Sequence, residues 1–88
     1  MMTNKIWKYK IDSFDCKIEM PEGAKILSLQ LQNWIPCIWV QVDVNNLIET
    51  RRFVTHPTGV YFHHAEKYIG TYQIGWYVWH VFEIIEKL

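Results

Sequence analysis

Apolar and polar residues alternate with a period of two along most of this chain, which is the pattern of β-strands that bury one face. The clearest example is Ala24–Gln32, in which three leucines alternate with serine and glutamine. Successive side chains of a strand point to opposite faces of its sheet, so we expect Leu27, Leu29 and Leu31 to face inward together. This pattern predicts a β-rich fold.

The same alternation, together with the turn residues between segments, predicts further strands. These strands are Lys5–Ile11, Cys16–Pro21, Cys37–Val44, Leu47–His56, Val60–His63 and a last and longest one, Trp76–Ile85. We expect turns at Gly23 and at Asn45–Asn46, because glycine and asparagine tolerate positive φ angles. The second of these turns would make Leu47–His56 the hairpin partner of Cys37–Val44.

The segment His64–Gly75 is ambiguous, because one helical turn fits His64–Tyr68 while two glycines and several β-branched residues favour loop and strand. We expect loop and strand. The chain therefore predicts one all-β domain over residues 1–88. Its expected architecture is a small sandwich or open barrel of six to seven mostly antiparallel strands, with little helix.

The segment Gly75–Phe82 holds four aromatic residues and a histidine in eight positions. In a strand, one face would carry His80 and the other Trp79, and neither face is polar. One small core can cover only one of these faces. We therefore expect a homo-oligomer, either a dimer or a dimer of dimers, with the Trp79 face in the core of the subunit and the His80 face at or near a subunit boundary.

The aromatic content exceeds what one small core can hide. The chain has five tryptophans, five tyrosines and four phenylalanines among 88 residues, and a domain of this size buries only about 60–65% of its unfolded surface. We expect Trp39 and Trp79, each in the middle of an apolar segment, to be buried. The surplus rings would line a pocket or a subunit interface.

Charge and motif content narrow the function classes. Nine basic and nine acidic residues give zero net charge, which argues against binding a polynucleotide but allows a small phosphorylated ligand. The two cysteines fit reduced structural thiols, and the sequence shows no metal-ligand spacing, nucleophile motif, signal peptide or membrane span. We expect a non-enzymatic protein of the cytoplasm that needs no cofactor, metal or membrane.

Arg51 and Arg52 are the only arginines, and arginine offers a planar set of donors suited to phosphate. Neighbours on a strand face opposite ways, so at most one of them should serve a given pocket directly. The alternative is a solvated pair that bridges to Glu49, Asp43 or a neighbouring strand.

Two turn-like motifs, "HPTG" at His56–Gly59 and "YIGT" at Tyr68–Thr71, place a threonine beside a glycine and near several aromatic residues. Backbone N–H groups and hydroxyls in such turns can hold an anion, and nearby rings can stack on a base. The alternative is that both are ordinary hairpin turns. The candidate ligand-binding residues are Arg51, Arg52, His56, Thr58, Gly59, Tyr68, Gly70, Thr71, Tyr72 and Trp76.

The segments "MPEGAKILSLQLQ", "IWVQVD", "ETRRFVTHPTG", "YIGTYQ" and "VWHVFE" occur in this order. In this respect the chain, from Tyr9 to Glu83, resembles a family of small phage proteins catalogued as a domain of unknown function. It is also similar to the anti-CBASS sponge proteins of phages, which bind the cyclic dinucleotides of bacterial immune cyclases without cleaving them. The resemblance implies β-rich subunits in a multimer, with ligand sites near subunit boundaries.

Two function classes therefore remain. In the first, the protein sequesters a cyclic dinucleotide such as cyclic GMP-AMP in the cytoplasm of the infected host. In the second, it is a structural or host-protein-binding module of the phage, and the aromatic surplus forms its interface. An enzyme that hydrolyses the signal lacks support in the sequence.

Overall fold

A computed structural model describes residues 3–63 and 65–85. These residues form seven strands and, within that range, no helix. The strands are β1 (Asn4–Lys10), β2 (Asp15–Pro21), β3 (Lys25–Gln32), β4 (Ile35–Asp43), β5 (Ile48–Pro57), β6 (Glu66–Ile74) and β7 (Tyr77–Ile84).

The strands form two open antiparallel sheets, which confirms the predicted all-β sandwich. The three-stranded sheet has the order β1-β4-β3, and the four-stranded sheet has the order β2-β5-β7-β6. Neither sheet closes on itself into a barrel.

The core lies where β4 faces the four-stranded sheet. Ile38, Val40 and Val42 alternate along β4 and are fully buried, as the period-two pattern requires. They belong to one apolar cluster with Met20 of β2 and Phe53 of β5. Burial of each such side chain stabilises the fold by about 1.5–3 kcal/mol.

The two sheets overlap only in part. β3 packs on β6 and β4 on β2, and the molecule measures 45 × 35 × 16 Å along its principal axes. Between β3 and β6, a Cβ added to Gly70 would lie 3.0 Å from Cδ2 of Leu29, so only glycine fits there without displacement. Because the overlap is limited, much apolar surface stays exposed.

The predicted inward row on β3 is wrong at its first position. A β-bulge between Ile26 and Ser28 inserts one residue and shifts the alternation, so Leu27 is exposed while Ile26 and Leu29 pack against the core. A bulge changes the face of every side chain on one side of it.

The predicted hairpin between Cys37–Val44 and Leu47–His56 is also wrong. The turn exists, and the Asp43 side chain accepts a hydrogen bond from the Asn45 backbone N–H at 3.1 Å. However, it carries the chain from one sheet to the other, and β5 pairs with β2 and β7 instead. The turn residues are local, whereas the choice of strand partner depends on which apolar faces pack together.

Three smaller expectations fail in the second half of the chain. Val60–His63 forms a loop rather than a strand, and β5, with 10 residues, is the longest strand. Trp76 lies in the turn before β7, whose first residue is Tyr77. By contrast, Glu66–Tyr68 belongs to β6, in agreement with the expectation of loop and strand rather than a helical turn, while His64 lies outside the described residues.

The Trp79 face of β7 points inward as expected, but Trp79 itself is only half-buried, which corrects the prediction that its ring is buried. Val81 and Glu83 are buried between the sheets, and Trp79 on the same face stacks on Phe14 at a ring distance of 4.8 Å. Trp39, by contrast, points away from the core, because Ile38 and Val40 on either side of it face inward. Trp39 is half-buried on the outer face of the three-stranded sheet, which corrects the prediction.

Candidate functional site

An aromatic cluster covers part of the outer face of the four-stranded sheet. Strand pairing brings together His56 of β5, Phe82 of β7 and Tyr68 of β6. Phe62, in the loop after β5, stacks on His56 with ring centres 4.7 Å apart and planes inclined by 5°. Phe62 and Tyr68 also contact the Phe82 ring, at 5.1 and 5.6 Å. The outer face of β7 is thus partly covered by the chain itself.

Beside this cluster, four polar side chains form a continuous hydrogen-bonded row, here called the His80 network: Thr58, His80, Thr71 and Tyr68. The two ring nitrogens of His80 lie 2.8 Å from Thr58 Oγ1 and 2.9 Å from Thr71 Oγ1. The Tyr68 hydroxyl lies 2.5 Å from Thr71 Oγ1. A neutral imidazole donates from one nitrogen and accepts at the other, so one threonine donates to His80 and the other accepts from it.

Glu66 supports the cluster from below. Its side chain is only 1% exposed, and its Oε1 lies 3.0 Å from Nε2 of His56, which fixes the orientation of that ring. Its second carboxylate oxygen, Oε2, is buried and has no hydrogen-bond partner among residues 3–63 and 65–85. Burial of an acceptor without a hydrogen-bond partner lowers the stability of the fold by about 1–3 kcal/mol. This oxygen can therefore accept a hydrogen bond from a ligand that reaches the base of the cluster.

Arg51 and Arg52 point to opposite faces of β5, as predicted. Arg51 points inward, where Nε and Nη2 donate to Glu83 at 2.6 and 2.8 Å and Nη1 donates to the Ala24 carbonyl at 2.6 Å. The hydrogen bonds and charge of Glu83 raise the pKa of Arg51. Arg52 points outward and donates to both carboxylate oxygens of Asp15, at 2.9 and 2.7 Å.

The two arginines nevertheless border the same space. Both line a cleft of about 470 Å³ beyond the end of β7, together with Lys17, Glu49 and Glu83. The cleft exists because β7 pairs with β5 only from Phe53 onward. Two arginines on opposite faces of β5 can therefore line one cleft, contrary to the expectation that at most one of them serves a given pocket.

The remaining predicted residues are dispersed. Gly59 has a φ of +95° and completes the "HPTG" turn next to Thr58. "YIGT" is not a turn but a bulge within β6, and Gly70 faces Leu29 rather than a ligand. Tyr72 lines a separate cleft with Phe14, and its burial raises its pKa. Trp76 is 96% exposed at its turn.

The structure thus brings four of the predicted residues together on the outer face: His56, Thr58, Tyr68 and Thr71. Sequence reasoning did not place His80, Phe62, Phe82 or Glu66 in the site. The signal for His80 was present, since alternation along β7 sets it on the outer face with Phe82, and the pairing of β7 with β6 then places it opposite Thr71. Phe62 carried no periodic signal because it lies in a loop.

Two further features of the described part of the chain bear on function. Between residues 3 and 85, His64 aside, no three His, Cys, Asp or Glu side chains are grouped so as to hold a metal ion. The same residues include no helix long and apolar enough to cross a membrane.

Comparison with known proteins identifies a family. Residues 2–87 match the model of a family described as a domain of unknown function, DUF7352. The chain belongs to this family. No curated protein and no solved structure matches the chain. The match covers nearly the whole chain, so both the aromatic cluster and the His80 network lie within the DUF7352 domain.

Proposed function

We propose that this protein binds a cyclic dinucleotide, such as cyclic GMP-AMP, and sequesters it without cleaving it. In this proposal it is a phage protein that counters CBASS immunity in the host cytoplasm. The observation that carries the proposal is the His80 network beside the exposed ring of Tyr68, which offers stacking and hydrogen bonding at one place.

The chemistry of the outer face supports a nucleotide ligand. Tyr68 is 57% exposed, and stacking of a base on such a ring is worth about 1–3 kcal/mol. The hydroxyls of Thr58 and Thr71 can donate to phosphate, ribose or base-edge oxygens once they turn from His80. The resemblance to sponge proteins supports sequestration rather than turnover, and it supports a homo-oligomer.

Calorimetry with a panel of cyclic dinucleotides and trinucleotides tests the proposal. We expect a dissociation constant below micromolar for at least one cyclic dinucleotide, and release of the intact ligand when the complex is heated. Thr71→Val, which removes one hydroxyl at constant shape, should weaken binding about tenfold. The control is Thr50→Val, which changes an exposed threonine of β5 outside the His80 network. Absence of any binding tighter than micromolar, or recovery of a hydrolysed ligand, would contradict the proposal.

A second candidate function is a protein-interaction module, and the exposed rings favour it. Trp76, Tyr61 and Trp34 are all largely exposed, and such residues are enriched at protein interfaces. Capture of one host protein in stoichiometric amount, combined with no nucleotide binding, would favour this function. Trp76→Ser and Tyr61→Ser would then abolish capture without lowering the melting temperature.

A further inference from the structure

A cleft lies between β3 and β6 at the side of the sandwich. Its volume is about 330 Å³, and it lies beside both β-bulges, at Ile26/Ser28 on β3 and at Tyr68/Gly70 on β6. We call it the bulge cleft. It is lined by Gly23, Ala24, Lys25, Ile26, Leu27, Ser28, Arg51, Lys67, Tyr68 and Ile69.

The lining of the bulge cleft is rich in cationic residues. Three of its lining residues, Lys25, Arg51 and Lys67, are cationic, and no aspartate or glutamate lines it. Glu83 compensates the charge of Arg51 from behind. Lys25 and Lys67 form no ion pair with any other described residue. Two lysines outside any ion pair thus line the cleft, while the nearest carboxylates are Glu83, opposite Lys67 in the strand register, and Glu49, which accepts a hydrogen bond from the Gly23 N–H at 3.2 Å.

Arg51 is held rigidly at this cleft. Three of its N–H groups are used by Glu83 and by the Ala24 carbonyl. A guanidinium has five N–H donors, so two remain. Because the Arg51 side chain is already fixed, it loses little conformational entropy when it donates hydrogen bonds to a ligand. This favours binding of a planar or tetrahedral oxyanion.

We propose that the bulge cleft binds a phosphate group, with Lys25 and Lys67 as its principal ligands and Arg51 as a fixed third donor. This inference rests on the proposed function, because it assigns a phosphate of the cyclic dinucleotide to the cleft. Tyr68 lines the cleft and also belongs to the His80 network, so it links the two parts. A volume of about 330 Å³ is at the small end of the range for ligand sites. In this proposal the cleft therefore encloses one phosphate of the ligand, and the outer face of the four-stranded sheet binds the rest.

The test compares lysine variants that differ only in position. Lys25→Met and Lys67→Met should each weaken binding of cyclic GMP-AMP about tenfold, as loss of a charge-assisted hydrogen bond predicts. The double variant should also make binding less sensitive to salt. The matched control is the double variant Lys5→Met and Lys10→Met, two exposed lysines on β1. Lys→Gln variants serve as the second set if a methionine variant fails to fold.

A titration with inorganic pyrophosphate, followed by NMR, separates this inference from the proposed function. Shifts of the Ile26 and Ile69 amide resonances, which belong to unmutated lining residues, would support the cleft if they occur in the parent protein and not in the double variant, even if no cyclic dinucleotide binds. If cyclic GMP-AMP binds the double variant and the control equally well, the cleft is not the phosphate site, although the proposed function stands. If no cyclic dinucleotide of the panel binds and pyrophosphate does not bind either, both proposals are wrong.

Discussion

The single variants Arg51→Met and Arg52→Met should differ strongly in their free energies of unfolding. Arg51 and its partner Glu83 have side chains that are only 16% and 9% exposed, whereas Arg52 and Asp15 are 32% and 56% exposed. Arg51→Met leaves the Glu83 carboxylate buried and without its guanidinium. Arg52→Met leaves the Asp15 carboxylate in water.

The expected magnitudes follow from this difference in burial. Removal of one partner from a buried ion pair costs about 3–5 kcal/mol, and loss of a solvent-exposed pair costs about 0–1 kcal/mol. For a domain of this size, 1 kcal/mol corresponds to about 4–8 °C in melting temperature. Arg51→Met should therefore lower the melting temperature by at least about 12 °C, and Arg52→Met by a few degrees.

Urea unfolding followed by tryptophan fluorescence measures both free energies of unfolding. The double variant Arg51→Met, Glu83→Leu should recover part of the loss, because it removes both buried charges and not one. If Arg51→Met does not fold, Glu83→Gln gives a milder test of the same contact. A loss for Arg51→Met within about 1 kcal/mol of that for Arg52→Met would show that the Arg51–Glu83 pair is solvated, and the reasoning would be wrong.

Two further variants test the fold. Gly70→Ala should lower the free energy of unfolding by about 1–3 kcal/mol, because the added methyl group overlaps Leu29. Adding Leu29→Ala to this variant should relieve part of the loss. If the effects of the two substitutions on the free energy of unfolding simply add, the close contact is contradicted. The hydrogen bond from Thr3 lowers the pKa of Asp43, so Asp43 contributes stability above its unfolded pKa of about 3.8 and loses it as the pH falls through the lower folded pKa. Thr3→Val should therefore reduce the urea midpoint at pH 7 but not well below pH 3.8, and an equal reduction at both pH values would refute this origin.

Alternation predicted the strands well because each strand has one face in contact with the core. β1, β2 and β4 lie within one or two residues of their predicted bounds, and Ile38, Val40 and Val42 are buried as expected. The prediction failed where a bulge shifts the alternation, as at Leu27. The position of a bulge cannot be predicted from the alternation of apolar and polar residues, because a bulge is defined by the pairing with the neighbouring strand.

The candidate site was only partly predictable for a related reason. Thr58, Tyr68 and Thr71 were found from their residue types, but His80, which connects them, was not. Its position opposite Thr71 depends on the pairing register of β6 and β7. The partner of Arg51 was missed in the same way, because Glu83 is 32 residues away in the sequence and reaches Arg51 only after the sheet forms.

The position of β7 in its sheet constrains the order in which the protein can fold. β7 lies between β5 and β6, although both of these strands precede it in the chain. The four-stranded sheet therefore cannot reach its final arrangement until translation has passed Ile84. Until then β5 has only β2 beside it, and the edge that β7 will occupy can pair with other chains. Among the described strands, only β3–β4 and β6–β7 pair neighbours in sequence, so we expect these two hairpins to form first and the remaining pairings to require slower closure of long loops.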